Sequence, residues 1–167
     1  VYETEEWKPV FEFMDYEISS EGRVRRIGTD KYNAICVNQH GIRYLGMTKG
    51  KRQHRKGLAL LVASHFLPMP ESEAFDTPIH RNGDRSDCRA DNLMWRPRWF
   101  AREYHAQFEA GSPRGFVVPV ECVDTGEQFA NSMEAAMTYG LMDRGIMVAT
   151  LNNTSVWPEG LTFRVID

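Results

Sequence analysis

Cysteine is scarce. Cys36, Cys88 and Cys122 are the only three in 167 residues, they are widely spaced, and no CxxC pair occurs. That pattern excludes a disulfide framework, gives no support to a cysteine zinc site, and suits a reducing interior. Long apolar runs are also missing. The longest, Leu58 to Ser64, falls far short of a bilayer, so no membrane role is expected. There is no low-complexity tract and no internal repeat. The net charge of −3 is too small and of the wrong sign for overall charge to draw the chain to nucleic acid. The chain starts at Val1 and shows no signal-peptide pattern, which leads us to expect that preceding residues were trimmed or cleaved. What remains is globular in composition: 42% hydrophobic, 26% charged and 11% aromatic, which excludes simple disorder, collagen and coiled coil. The length allows one ordinary domain or a few small ones in series.

The small net charge hides segregation. From Glu3 to Glu21, acids at 3, 5, 6, 12, 15, 17 and 21 face a single Lys8. From Arg43 to Gly57 the cations Arg43, Lys49, Lys51, Arg52, Arg55 and Lys56 meet no acid. Arginines recur at 81, 85, 89, 96, 98 and 102, interleaved with Asp84, Asp87, Asp91 and Glu103. From Val117 onward only Arg144 and Arg164 offset seven acids. The middle of the chain therefore reads as a phosphate-facing surface and the ends do not. The competing reading of residues 49–56 is a solvated hairpin loop.

Turn chemistry and periodicity divide the chain into segments. Tyr16 to Arg26 reads as strand, Ser-Ser-Glu-Gly turn and strand. Ala34–Val37 and Ile42–Met47 read as a strand pair joined through Gln39-His40-Gly41, followed by the basic loop. Leu58 to Phe66 is an apolar helix stopped by Pro68 and Pro70. Ile79–His80 reads as a short strand, then a polar loop, then a helix from about Asn92. Beyond Gly111–Gly115, strands are expected at Val117–Val123, Glu127–Ala130 and Leu161–Val165. Ser132 is the expected N-cap of one helix, Gly140 its end, and Asp143 the cap of a second. Two short helices across a glycine turn make a helix-turn-helix candidate. Met133, Met137, Met142 and Met147 suit a core or an adaptable interface. Trp95 and Trp99 read as packing residues.

Ile79-His80-Arg81-Asn82-Gly83-Asp84, with Asp91-Asn92-Leu93-Met94-Trp95, resembles the ββα-metal core of HNH endonucleases. Glu6-Trp7-Lys8-Pro9 through Tyr16, Ile18-Ser19 and Gly22-Arg23-Val24 resembles the NUMOD4 module that precedes such cores in phage homing endonucleases. Leu61-Val62-Ala63 and Phe66 are similar to the helix that leads into them. Ser132 to Ala136, Gly140-Leu141 and Gly160 to Arg164 resemble the NUMOD1-type helix-turn-helix that follows. The ordered set covers almost the whole chain and is similar to the intron-encoded HNH nucleases of Bacillus phages.

The resemblance implies an α+β fold of small modules in series. An antiparallel NUMOD4-like region would occupy 1–28. A β-hairpin, helix and ββα core would occupy 29–110, and a β plus helix-turn-helix module 116–167. It implies double-stranded DNA as partner and the cytoplasm of an infected bacterial host as location, with association with the virion left open. By the same resemblance His80 falls at the general base and Asn92 at the asparagine that holds the loop. The two metal-ligand positions fall on Ile79 and Ala101, whose side chains carry no donor atom. Family members carry a His-Arg pair where this chain has Ala59 and Leu60. Asp76, Asp84 and His105 are the residues that rescue of the metal site would draw on.

No cofactor is expected, or Mg²⁺ if nuclease activity survives. Three readings stay open. One is a DNA-binding relative with cleavage lost or strongly reduced, its backbone contacts supplied by Arg43, Lys49, Lys51, Arg52, Arg55, Lys56, Arg81, Arg85, Arg96, Arg98 and Arg102. Another is a domesticated, inactive subunit that binds a protein partner of a phage assembly through the acidic carboxy-terminal module. The last is an active Mg²⁺-dependent nicking enzyme with a rearranged metal site.

Overall fold

The computed structural model describes residues 4–167, so the first three residues of the amino-terminal module, Glu3 among them, lie outside it. The chain is mixed α+β and falls into two compact units. One holds the described residues through His80 together with Asp84–Arg98, the other Arg81–Gly83 with Trp99–Asp167.

In the first unit, β1 (Trp7–Val10), β2 (Phe13–Ser19) and β3 (Val24–Arg26) form an antiparallel sheet. The expected Ser-Ser-Glu-Gly turn joins β2 to β3. Gly22 sits there at φ +84°, and a Cβ on it would come within 3.1 Å of the Cys88 carbonyl oxygen. Glycine is required twice over, by its dihedral and by the close approach. A second sheet follows from β4 (Cys36–Val37), β5 (Arg43–Lys49) and β6 (Arg52–Gly57). The stretch expected as a basic loop is therefore largely a strand. Residues 44–49 pair with 57–52 without a break, and only Gly50 and Lys51 make the turn. Gly50 takes φ +64°, which a two-residue hairpin turn needs. Leu45 and Met47 bury one face of this hairpin, and that burial holds the polar partner strand in register.

Helix α1 (Leu58–Phe66) has the expected limits. It buries Leu58, Val62, Ala63 and Phe66 at helical spacing against Val10, Phe13, Tyr16, Ile18, Leu45 and Met47. β7 (Thr77–His80) then pairs with β8 (Leu93–Arg96), His80 opposite Leu93. A helix beginning near Asn92 was expected here, and the structure has a single 3₁₀ turn at Ala90–Asn92 followed by a strand. Pro97 explains the difference. A residue before proline is driven into extended backbone, so Arg96 stays in the ladder and the helix, α2 (Arg98–Gln107), starts one residue past the proline.

In the second unit, β9 (Val120–Cys122) pairs with both β10 (Gln128–Phe129) and β11 (Phe163–Val165). All three strands are shorter than expected. Helices α3 (Ser132–Tyr139) and α4 (Asp143–Leu151) pack on this sheet around Val120, Cys122, Ala135, Ala136, Leu141, Ile146 and Phe163. Gly140 ends α3 in the left-handed conformation, as its position suggested. The caps differ from expectation. Asn131, not Ser132, caps α3, accepting from the Glu134 amide at 2.9 Å. Ser132 is buried, and its hydroxyl donates to Asp143. Asp143 is spent on that bond and makes no side-chain cap for α4. A cavity of about 720 Å³ opens beside them, walled in part by Phe108, Phe116, Met133 and Met142.

Candidate functional site

His80 ends β7 and is buried. The loop that follows folds back on it. Asn92, also buried, donates from Nδ2 to the Asp87 carbonyl at 2.9 Å and so pins the loop from below. Asp84 turns its Oδ1 to the Ser86 amide and hydroxyl, at 2.9 and 2.6 Å. Asp87 grips Arg89 through both carboxylate oxygens, at 2.8 and 2.9 Å. The result is a loop that is satisfied internally.

The Cys88 sulfur stands 3.6 Å from His80 Nε2. No motif pointed to this residue. Its one signal in the sequence was chemical: a cysteine alone in a loop of Asn, Asp, Gly, Ser and Arg. Burial pushes the thiol up to about 11 and the imidazole down to about 4. Arg85 adds to the fall at His80, while Asp87 and Asp84 oppose it. At neutral pH this is a thiol beside an uncharged imidazole.

A divalent ion does not fit the residues present. Ile79 is completely buried hydrocarbon, and Ala101 is a buried methyl on α2. A protonated thiol is no ligand for a hard cation, which takes oxygen. Asp84 is engaged as described, and Asp76 Oδ1 accepts from the Thr77 hydroxyl at 2.9 Å. His105 packs edge-on against Tyr104. Among the described residues, no three His, Cys, Asp or Glu side chains come together to hold a metal.

The depressed imidazole has a thermodynamic consequence. In the unfolded chain His80 takes up a proton near pH 6.5, and in the folded chain only near 4. Between those values the unfolded state binds the extra proton, so stability present above 6.5 is lost as the pH falls through 4. We expect the fall between pH 7 and 4 to be smaller in His80→Gln than in the wild type, by an amount of up to about 3 kcal/mol. Urea unfolding at several pH values measures it. Parallel curves for the two proteins would show that His80 titrates normally.

The cations expected on a DNA surface separate into groups. Lys49, Lys51, Arg52, Arg55 and Lys56 are exposed on the hairpin. Lys49 and Lys56 share one face, their ammonium groups 5.9 and 5.7 Å from the centre of the Phe13 ring. Arg55 lies on the other, 4.6 Å from the Tyr44 ring centre. Arg98 and Arg102 are exposed as well. Arg96 is a correction: it is buried, donating to the Trp95 carbonyl at 2.9 Å, because its place in the β7–β8 ladder turns it inward. Arg81 is half-buried and donates to the Met137 and Thr138 carbonyls, so it serves the second unit's packing. Trp95 packs against the first core as expected. Trp99 does not pack inside: it is exposed, and stacks on Trp157 with ring centres 5.3 Å apart.

On α4 the exposed face carries Arg144, Val148 and Leu151. A single cation among acids gives a phosphate backbone little to bind.

Residues 5–57 match the NUMOD4 motif, a stretch that runs from β1 through the basic hairpin. Over 96 residues, 55% of the chain, the sequence is 33% identical to an uncharacterized HNH endonuclease of Acanthamoeba polyphaga mimivirus. The chain spans about a quarter of that relative's length, 24%. The fold is similar to that of the HNH homing endonuclease I-HmuI, solved in a study of its DNA binding and cleavage. The TM-score is 0.52 at 23% identity, over 96% of this chain and 98% of that one.

Proposed function

Starting from a chain that carries a NUMOD4 motif on the fold of an HNH homing endonuclease, we propose that it binds duplex DNA through the phosphate backbone and has lost cleavage, or nearly so. The observation that carries this is the contrast between two places. The hairpin keeps five exposed cations with no acid among them. The positions that resemble metal-ligand sites hold the buried hydrocarbon of Ile79 and Ala101. Affinity for a polyanion needs only the first of these, whereas hydrolysis by a metal-activated route needs the second.

The test is duplex binding across a salt series, with nicking assayed in parallel. With roughly five phosphate contacts, affinity should fall by two to three orders of magnitude between about 50 and 200 mM salt. Added Mg²⁺ should produce no nicking above background. No detectable binding at the lowest salt would sink the DNA reading. Nicking that vanishes in His80→Ala would sink the loss of cleavage.

A protein partner is the second reading, and the apolar pair Val148 and Leu151 on the exposed face of α4 favours it. It predicts no detectable duplex binding even at about 50 mM salt, where phosphate contacts are strongest.

A further inference from the structure

We infer that the stacked pair Trp99 and Trp157 is a platform for an unpaired nucleobase of single-stranded DNA, with Arg102 beside it for a phosphate. The inference takes the class of partner from the DNA-binding reading and goes beyond it. It assigns a second kind of contact, made by bases rather than by backbone alone, to residues of the second unit.

Trp99, Phe100 and Arg102 lie on α2, and Trp157 lies in the segment between α4 and β11, all within that unit. Phe100 is buried, and its ring centre is 5.6 Å from that of Trp157. Trp99 stacks on Trp157 with ring centres 5.3 Å apart and planes 25° apart. The two indoles nonetheless remain 57% and 49% exposed. Tryptophan is highly buried on average, so two of them held face to face in water call for a use. One face of the Trp99 ring is spent on Trp157, and Phe100 meets it edge-on at 5.8 Å. Among the described residues no further ring and no hydrogen bond engages this indole. Its second face is open, and the anchored stack is ordered before any ligand arrives, which lowers the entropy lost on binding.

The neighbours decide what that face fits. Arg102 follows Trp99 by three residues and so shares its side of α2. It is exposed and has no ion pair among the described residues. Glu103 is the carboxylate on this side, and it forms part of the wall of the cavity with Phe108 and Met133. An indole that anchors a protein partner sits among contacts that exclude water, whereas the exposed residues following Trp99 along this side are Arg102, Glu103 and Ala106. A flat ring beside a guanidinium matches a base and its phosphate. Stacking on an aromatic side chain tolerates any base, and arginine grips phosphate through two donors. Within a duplex each base has both faces covered by its neighbours, so only an unpaired base can present one.

The experiment follows the Trp99 indole N–H signal by NMR at constant ionic strength. A short oligothymidine and its duplex with oligodeoxyadenosine are titrated separately. We expect a saturable shift with the single strand, none of comparable size with the duplex, and none at Trp95, whose indole nitrogen is buried. Affinity for the single strand should fall about tenfold or more in Trp99→Ala and by less in Trp99→Phe. Arg102→Gln should lower the salt slope of that binding by about 0.7, the share of one phosphate on a single strand. The amide spectrum of each variant reports whether it is folded, and Trp99→Phe and Arg102→Gln carry the test if Trp99→Ala is not. No shift with the single strand, or an equal shift with both probes, overturns the site. A Trp99 signal that moves with protein concentration alone also overturns it, and assigns the platform to a second copy of the chain. Failure here with duplex affinity retained leaves the DNA-binding reading standing, so the two failures are separable.

Discussion

Ile79→Asp should give the protein divalent-metal-dependent nicking beyond that of the parent. Ile79 is buried in the parent, and its side chain offers no electron pair. The variant supplies one carboxylate next to His80, and Mg²⁺, which keeps several waters, is usually bound through one or two carboxylates plus substrate phosphates. The loop around His80 is otherwise intact, with Asn92 bonded to the Asp87 carbonyl and the imidazole uncharged at neutral pH, ready to take a proton. A carboxylate placed at a fully buried position costs several kcal/mol while nothing pairs with it. The variant should therefore melt well below the parent in EDTA and recover part of the loss in Mg²⁺, because an ion that binds only the folded state stabilises it by mass action. Nicking of a supercoiled plasmid and the Mg²⁺ dependence of Tm are the two readouts. A variant that folds but shows neither effect would mean that a carboxylate at position 79 does not reach an ion beside His80.

Replacing Lys49, Lys51 and Arg52 together by Gln should lower duplex affinity by about 10²-fold at physiological salt and flatten the salt slope by about 2.7, since each lost phosphate contact removes about 0.9 from it. The three residues sit at the turn of the β5–β6 hairpin and are exposed. The hydrophobic face of the hairpin, Leu45 and Met47, is untouched. Stability should accordingly change by no more than about 0.5 kcal/mol, which separates a charge effect from unfolding. An unchanged slope would mean that DNA, if bound, lies elsewhere on the molecule.

Much of the framework was legible in residue order. Gly57 and Pro68 bracket an apolar stretch, and α1 runs between them over Leu58–Phe66. The Ser-Ser-Glu-Gly turn and the Gly140 stop were found where their chemistry put them. The NUMOD4 motif over residues 5–57 needed no coordinates. Misreadings clustered where two rules competed. Asn92 looked like a helix start, but Pro97 and the ladder with β7 kept the next residues extended. Ser132 is as good a cap as Asn131 in isolation, and the burial of its hydroxyl against Asp143 decided between them.

Sequence by itself determined the local punctuation and the chemical inventory: which residues can donate, accept, charge or ligate, and where the backbone must turn. These depend on interactions within a few residues, which chain order encodes directly. Tertiary structure alone decided which of those groups meet water and which meet each other. Arg96 went inside and Arg52 stayed out, and the thiol of Cys88 came to rest against His80. Such outcomes depend on contacts between segments far apart in the chain, where shape and burial outweigh local preference.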